Sequence, residues 1–435
     1  MNECTLSYKL IDVNDQEFES VDKAEASLSE EKLQLKPIFG ETLSVPYRDI
    51  LELSGSEYKI QVVLNSRDKL ILFNLGYRYE DFLRELSKHH NAILLKDMLI
   101  QEKPIKSNIE GVFSFLDKDG EEKQGGACEL RIYETALVII PEMGEIIRVP
   151  HSYIDRISEE DYTLIVDTEF GEKFKISMLG ANFNPLKDEL TKMMHELIVK
   201  SQTSLKELLP EANPMIIRRA ARIMREGKAA RRADIESISH ELWDTLEKKL
   251  TVLGIMEEYD YLKSLSQQDK ICIGLKRGLM GDLTGEYVWF LIPMYSTETG
   301  KPGNAIAMEA STGEGGGKAT YFFRMVSRKD YPKYTNIEDL HKVMDDLIPT
   351  INRCMLEINF RREPIYLSDD KLEEPRYSRY WYAVKRMPSL RTLRSLFKGR
   401  VSHLSSEQWR KDVMDLLRFN VEAEEDDVKW KKGAS

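Results

Sequence analysis

The sequence predicts an α+β multidomain chain. Two tandem antiparallel β units, each closed by a C-terminal helix, precede a helical linker and an α+β C-terminal region. Three observations predict it. The segment marked by Leu33, Pro37, Gly40, Glu41, Val45, Pro46, Ile50, Ser54 and Tyr58 returns as Leu137, Pro141, Gly144, Glu145, Val149, Pro150, Ile154, Ser158 and Tyr162. The register runs on through Val62/Val166, Leu75/Leu179, Gly76/Gly180 and Leu86/Leu190, a domain-length period of about 104 residues, so one folding unit is written twice. Inside each copy the apolar period changes from two to about 3.6, and past Ser201 a helical stretch is followed by new strands from Ile271.

In the first copy Tyr58, Ile60, Val62 and Leu64 alternate with polar residues, as do Leu70 and Leu72, with Arg67-Asp68 as the turn between the runs. The second copy repeats this as Tyr162, Leu164 and Val166, then Phe174 and Ile176, about Glu169-Phe170-Gly171. On this pattern Tyr58 and Tyr162 fill a core, Pro46 and Pro150 sit at strand edges, and Gly76 and Gly180 permit a turn. Tyr79, Phe82, Leu83 and Leu86 then fall at helical spacing, and His89-His90 ends that helix as a solvent-exposed pair. Phe183, Leu186 and Leu190 are the second version, with Pro185 near its start and Met193, Met194 and Leu197 extending it. Asp119-Gly120 reads as the hairpin opening copy two.

Val-Pro-Tyr-Arg-Asp-Ile50, an alternating hairpin and the helix from Tyr79 to Leu86 together resemble the pleckstrin-homology-like (PH-like) superfold, particularly its bacterial and GRAM-type members. The resemblance spans residues 5–100 and 108–200 and implies two tandem PH-like β-barrels, at 1–104 and 105–202, each plugged by its helix. It implies binding rather than catalysis. Lipid-binding members carry a Lys-x-Arg-x-Arg cluster in the first hairpin, and neither copy has one, so a phosphoinositide site is not implied. A binding surface is expected where the copies differ, as at Tyr47/His151 and Asp49/Tyr153.

Residues 203–265 read as the helical linker. Asn213-Pro214 starts a helix with Ile216, Ile217, Ala220 and Met224 on one face, Arg218, Arg219, Arg222 and Arg225 between them, and Gly227 at its end. Asp234 caps a second helix running through Ile235, Ile238, Leu242, Leu246 and Leu250. In 266–370 the runs Ile271–Leu275, Tyr287–Met294, Ala305–Ala310 and Thr320–Val326 are strands, and Ile337 to Ile351 is a helix. That order fits either a third, diverged PH-like unit or an unrelated α+β domain.

The segment 371–420 is basic and aromatic. Arg376, Arg379, Lys385, Arg386, Arg391, Arg394, Lys398 and Arg400 are interleaved with Tyr377, Tyr380, Trp381, Tyr382 and Phe397. Ser389 caps a helix whose Leu390, Leu393 and Phe397 form one stripe and whose Arg391, Arg394 and Lys398 form the next. Such a surface suits an anionic membrane or nucleic acid, and Arg218, Arg222 and Arg225 form a secondary candidate. The bland reading is core aromatics with arginines paired to acids, including those of an acidic flexible tail at 421–435.

The net charge of -11 argues against a surface that binds nucleic acid throughout. Four dispersed cysteines suit a reducing compartment, and the chain has neither a signal-peptide pattern nor an apolar run of spanning length, so a cytoplasmic location is expected. Thr312-Gly-Glu-Gly-Gly-Gly-Lys318 imitates a phosphate loop, but it lacks the first glycine and the hydroxyl residue after the lysine, and it precedes a strand; it reads as a hairpin loop. No HExxH, Cys/His array, G-x-S-x-G or dinucleotide fingerprint is present, so no cofactor or metal is expected. The expected function is a non-enzymatic scaffold, prokaryotic in style, that recognises other proteins. The alternatives are the anionic-surface binder and an enzyme with a non-local site in 271–360.

Overall fold

The alternating residues of each copy become paired strands in a computed structural model that describes all residues except 1–3, 101, 143–144, 280–281, 299–300, 313–318, 332–335, 423–428 and 431–435. Copy one consists of β1 (Cys4–Ile11), β2 (Glu17–Leu28), β3 (Lys32–Pro37), β4 (Leu43–Pro46), β5 (Ile50–Ser56), β6 (Lys59–Leu64), β7 (Lys69–Phe73) and α1 (Tyr79–Asp97). Copy two repeats them as β8 (Lys106–Leu116), β9 (Glu122–Ile132), β10 (Ala136–Pro141), β11 (Ile147–Pro150), β12 (Ile154–Glu160), β13 (Thr163–Thr168), β14 (Lys173–Ser177) and α2 (Phe183–Leu208). Both sheets have seven antiparallel strands in matching order, β4-β3-β2-β1-β7-β6-β5 and β11-β10-β9-β8-β14-β13-β12. A one-turn 3-10 segment joins the two edge strands of each sheet. Tyr47 N donates to Glu31 O and Asn65 N to Asp49 O; His151 N donates to Thr135 O and Glu169 N to Tyr153 O. The duplication therefore extends to individual backbone hydrogen bonds, and it bends each sheet toward closure.

Several expectations fail here for local reasons. Tyr58 and Tyr162 do not fill the cores. Glu57-Tyr58 and Asp161-Tyr162 all have φ near +50°, between 47° and 58°, so each pair forms the two-residue turn of a tight hairpin and its Tyr is exposed. Their rings lie edge-on to the first residue of the closing helix, Tyr79 and Phe183. α1 does not end at His89-His90 but continues to Asp97; His90 is buried and His89 stacks on Tyr47. The pairs proposed as a binding surface are mostly interior, since Tyr47, His151 and Tyr153 are buried and only Asp49 is half-buried. Tyr47 fills its corner by donating to Ser29 O, whereas His151 Nε2 bonds Tyr133 O.

β3 alternates buried residues with half-buried or exposed ones, but β10 is buried on both faces. The reason is visible in Val138 and Ile140, which stand where copy one has Gln34 and Lys36. They form an apolar cluster with Tyr133 and with Leu95 of α1. The last turns of the first helix thus cover the outside of the second sheet.

Compact units comprise Met1–Thr191 and Lys192–Ser435, the division falling within α2. The second contains α3 (Pro214–Ile223), β15 (Ala230–Arg231), α4 (Arg232–Glu236), α5 (His240–Val252), α6 (Met256–Ser264), β16 (Cys272–Leu279), β17 (Asp282–Met294), β18 (Ala305–Ser311) and β19 (Ala319–Arg324). It continues with α7 (Ile337–Glu357), α8 (Glu363–Tyr366), α9 (Asp369–Leu372), α10 (Ser378–Arg386), α11 (Pro388–Leu396), β20 (Phe397–Ser402) and α12 (Ser406–Glu422). Its six strands run in the order β15-β16-β17-β18-β19-β20, a meander unlike the two N-terminal sheets, so it is not a third copy.

The segment expected as a linker is part of this unit's core. Ile217, Ala220, Leu242, Leu246 and Leu262 pack with Ile273, Phe290, Ile292 and Phe322 of the sheet. Asp234 does not cap one long helix: α4 stops at Glu236, and the Ser239 hydroxyl caps α5 by accepting from Leu242 N. Nor does Ser389 cap α11. Pro388 occupies the first helical position, and the stripe expected to reach Phe397 and Lys398 ends because both belong to β20. In the expected flexible tail, Trp430 is buried against Gly399 and its N donates to Lys398 O; residues 423–428 lie outside the described residues. The glycine-rich loop at 313–318 lies there too.

Candidate functional site

Three places were candidates from sequence, namely the copies' differing positions, the basic segment and the 271–360 strands. On copy one the informative residues are others. Pro37 ends β3, Gly40 turns the chain at φ 112°, and between them Ile38 and Phe39 stand 62% and 90% exposed. Tyr77, before α1, is 92% exposed, and Val13 and Phe18 lie open on the first hairpin. The same turn chemistry matches the copies here. Asp12 Oδ1 accepts from Asn14 N and Gln16 N, as Asp117 Oδ1 does from Asp119 N and Glu121 N. Copy two accordingly has Lys118 for Val13, Lys123 for Phe18, Glu142 for Ile38 and Ala181 for Tyr77. The shared scaffold thus differs at these four positions, while Phe39 is matched in sequence by another apolar residue, Met143, and copy two exposes Met178 and Tyr162. The signal was present in the sequence as two bulky apolar residues inside a Pro-x-x-Gly loop.

The basic segment is not gathered into one open surface. Arg394 is largely buried, donating to Pro364 O and Leu367 O and pairing with Asp369 at 2.6 Å, and burial lowers its pKa from the usual arginine value. Lys398 is buried in β20. Arg376, Arg379 and Lys385 are exposed but lie over Tyr377, Tyr380 and Trp381 at 4.3–4.5 Å, while Arg400 covers Tyr366 at 4.0 Å. These aromatic faces are taken by the chain's own cations. Arg391 donates to Lys385 O, and Arg386 is half-buried. Of the secondary candidates, Arg218 and Arg222 are exposed on α3 and Arg225 is buried in the turn after it.

Two polar clusters in the second unit involve residues that no local motif joins. In the first, the Thr320 hydroxyl donates to Glu309 Oε2 at 2.8 Å and accepts from Trp409 Nε1 at 3.2 Å. His403 lies between two carboxylates, with Nε2 3.2 Å from Glu309 and Nδ1 3.3 Å from Glu258. Hydroxyl, imidazole and carboxylate resemble a nucleophile–base–orienter chain, but Thr320 is fully buried and each ring nitrogen lies beside a carboxylate. The cluster is a closed clasp between the β18–β19 pair, the end of β20 and α6. Its two carboxylates address opposite ring nitrogens, and among the described residues no group of three or more His, Cys, Asp or Glu suits a metal ion.

The second cluster is open. Tyr295, just after β17, is buried and its hydroxyl lies 2.5 Å from His341 Nδ1 on α7. One turn further along α7, Asp345 Oδ1 receives Arg231 of β15 at 2.9 Å and Lys270 at 3.0 Å. Asp345 is 44% exposed, which puts this cluster at the surface.

No protein-family model and no curated protein matches the chain. Among solved structures, a chain in the structure of the Spt16D Pob3N heterodimer is similar at 13% identity over 33% of this chain and 74% of that chain, with a TM-score of 0.15. Among the described residues no helix is long and apolar enough to cross a membrane.

Proposed function

We propose that this chain is a non-enzymatic scaffold that recognises another protein through tandem PH-like barrels, with the first barrel making the contact. The carrying observation is Ile38-Phe39, held open between Pro37 and Gly40, where the second copy's sequence has Glu142-Met143 and so lacks both the second apolar group and the aromatic ring. A phenyl ring exposed to this extent adds nothing to its own fold. Exposed aromatic side chains of this kind are the usual energetic centres of protein–protein contacts. The anionic-surface alternative has less support, because Arg394 and Lys398 are buried and the nearby rings already carry cations. The test is recovery of proteins that co-purify with the native full-length chain, compared with Phe39→Asp and with Met215→Asp as an exposed control in the other unit. We expect Phe39→Asp to lose at least about tenfold of a stoichiometric partner, as a hot-spot residue does, and the control to keep it. Equal recovery, or no stoichiometric partner with the native chain, overturns the reading.

A further inference from the structure

The open cluster of the second unit is independent of the barrels and has its own logic. A neutral imidazole has one N–H and one acceptor nitrogen, and the partner of either decides which is which. Burial, and then the charges of Asp269 and Asp345, raise the pKa of Tyr295, so its hydroxyl keeps its proton. A buried hydroxyl must donate that proton, and His341 Nδ1 is its acceptor. The hydrogen-bond network therefore assigns the ring proton to Nε2. Among the described residues Nε2 has no partner, and His341 is half-buried rather than enclosed.

His341 and Asp345 are four residues apart on α7 and so share a face. Lys270 and Arg231 reach that face from the 3-10 turn before β16 and from β15, and both spend a donor on the same oxygen, Asp345 Oδ1. Between them they have further N–H groups that the one carboxylate oxygen does not use. The face thus presents an imidazole N–H, a guanidinium and an ammonium, with the exposed carboxylate of Asp345 holding the two cations in place and those of Asp269 and Glu338 close enough to act on Tyr295.

We propose that His341, Lys270 and Arg231 form a binding site for a small oxyanion, a phosphate or carboxylate group, with Asp345 as its internal competitor and Tyr295 as the positioning residue for His341. An incoming oxyanion takes over the two cations from Asp345, as charge-assisted and bidentate hydrogen bonds favour. It also accepts from His341 Nε2.

Inorganic phosphate and acetate are titrated separately into the full-length chain by calorimetry at constant ionic strength, so that general screening is held fixed. The Nε2 resonance of His341 is followed in histidine-labelled protein. Saturable binding with a shift at His341 is expected for at least one of them, and the anion that binds identifies the group. Lys270→Met should weaken it at least about fivefold, the loss of one charge-assisted contact. Asp345→Asn, which removes the competitor, should tighten it several-fold. Tyr295→Phe should free Nδ1, visible as a changed tautomer signature, while the far-UV spectrum stays native. Absence of saturation by either anion up to about 50 mM, a regime of negligible affinity, overturns the site. Binding that Lys270→Met leaves unchanged overturns it as well, and weaker binding in Asp345→Asn overturns the competitor role.

Discussion

Replacing Thr320 by valine removes one oxygen from a fully buried position and leaves the shape nearly unchanged, so the response reports hydrogen bonding with little cavity cost. Three contacts are lost: Trp409 Nε1 keeps its proton but loses its acceptor, Glu309 Oε2 loses the hydroxyl donor at 2.8 Å, and His403 Nε2 loses the hydroxyl at 3.2 Å and keeps Glu309. An unmade buried neutral donor costs about 1–3 kcal/mol and a bond to a charged group contributes about 1.5–3 kcal/mol. The expected destabilisation is about 3–5 kcal/mol for the unit Lys192–Ser435. At about 2–4 °C per kcal/mol for a unit of this size, its thermal midpoint should fall by roughly 10 °C. The assay is thermal unfolding of the full chain followed by tryptophan fluorescence, analysed as separate transitions because the chain has two units. Thr320→Ser keeps the hydroxyl and should retain most of the stability. A loss below about 1 kcal/mol in Thr320→Val, or equal loss in both variants, would refute the clasp.

Two further tests concern local conformation and charge. At the hairpin turns with positive φ, Glu57→Asn and Asp161→Asn should each stabilise the first unit by roughly 0.5 kcal/mol in urea titrations, because asparagine tolerates the left-handed region better; destabilisation would count against the turn assignment. Glu247 accepts from Tyr259 and from Lys263, each at 2.6 Å. Burial alone pushes its pKa up, but these bonds outweigh it and the value lies below the usual carboxylate range. A carboxylate depressed in the folded state contributes stability above its unfolded pKa and loses it as pH falls through the folded one. Glu247→Gln should therefore cost about 1–2 kcal/mol at pH 7, with the gap to the native chain closing below about pH 4. A gap independent of pH would show that the carboxylate charge is not what matters.

The candidate sites were less legible than the scaffold. Tyr295 and His341 stand 46 residues apart and Thr320 and His403 stand 83 apart, joined only when strands and helices of one unit meet. No spacing rule connects them, which is why the non-local site considered in 271–360 had no residues attached to it. Ile38 and Phe39 were readable as loop residues, but their exposure was not, since an apolar loop residue can equally fold back on a core. In the basic segment charge was legible and burial was not. Its charge pattern is a local fact, whereas the burial of Arg394 follows from the carbonyls of Pro364 and Leu367, which the tertiary fold brings beside it.

The sequence by itself determined the duplication, the strand periodicity and the closing helices, because which face of a strand or helix is apolar is written in residues that are near neighbours. It even recorded, in the unbroken apolar run from Ala136 to Ile140, that one strand would be covered on both sides. Only the tertiary structure decided which element does the covering, which cations stay in water and which polar groups face each other. Those outcomes depend on desolvation and on contacts between distant segments, and neither leaves a periodic trace in the chain.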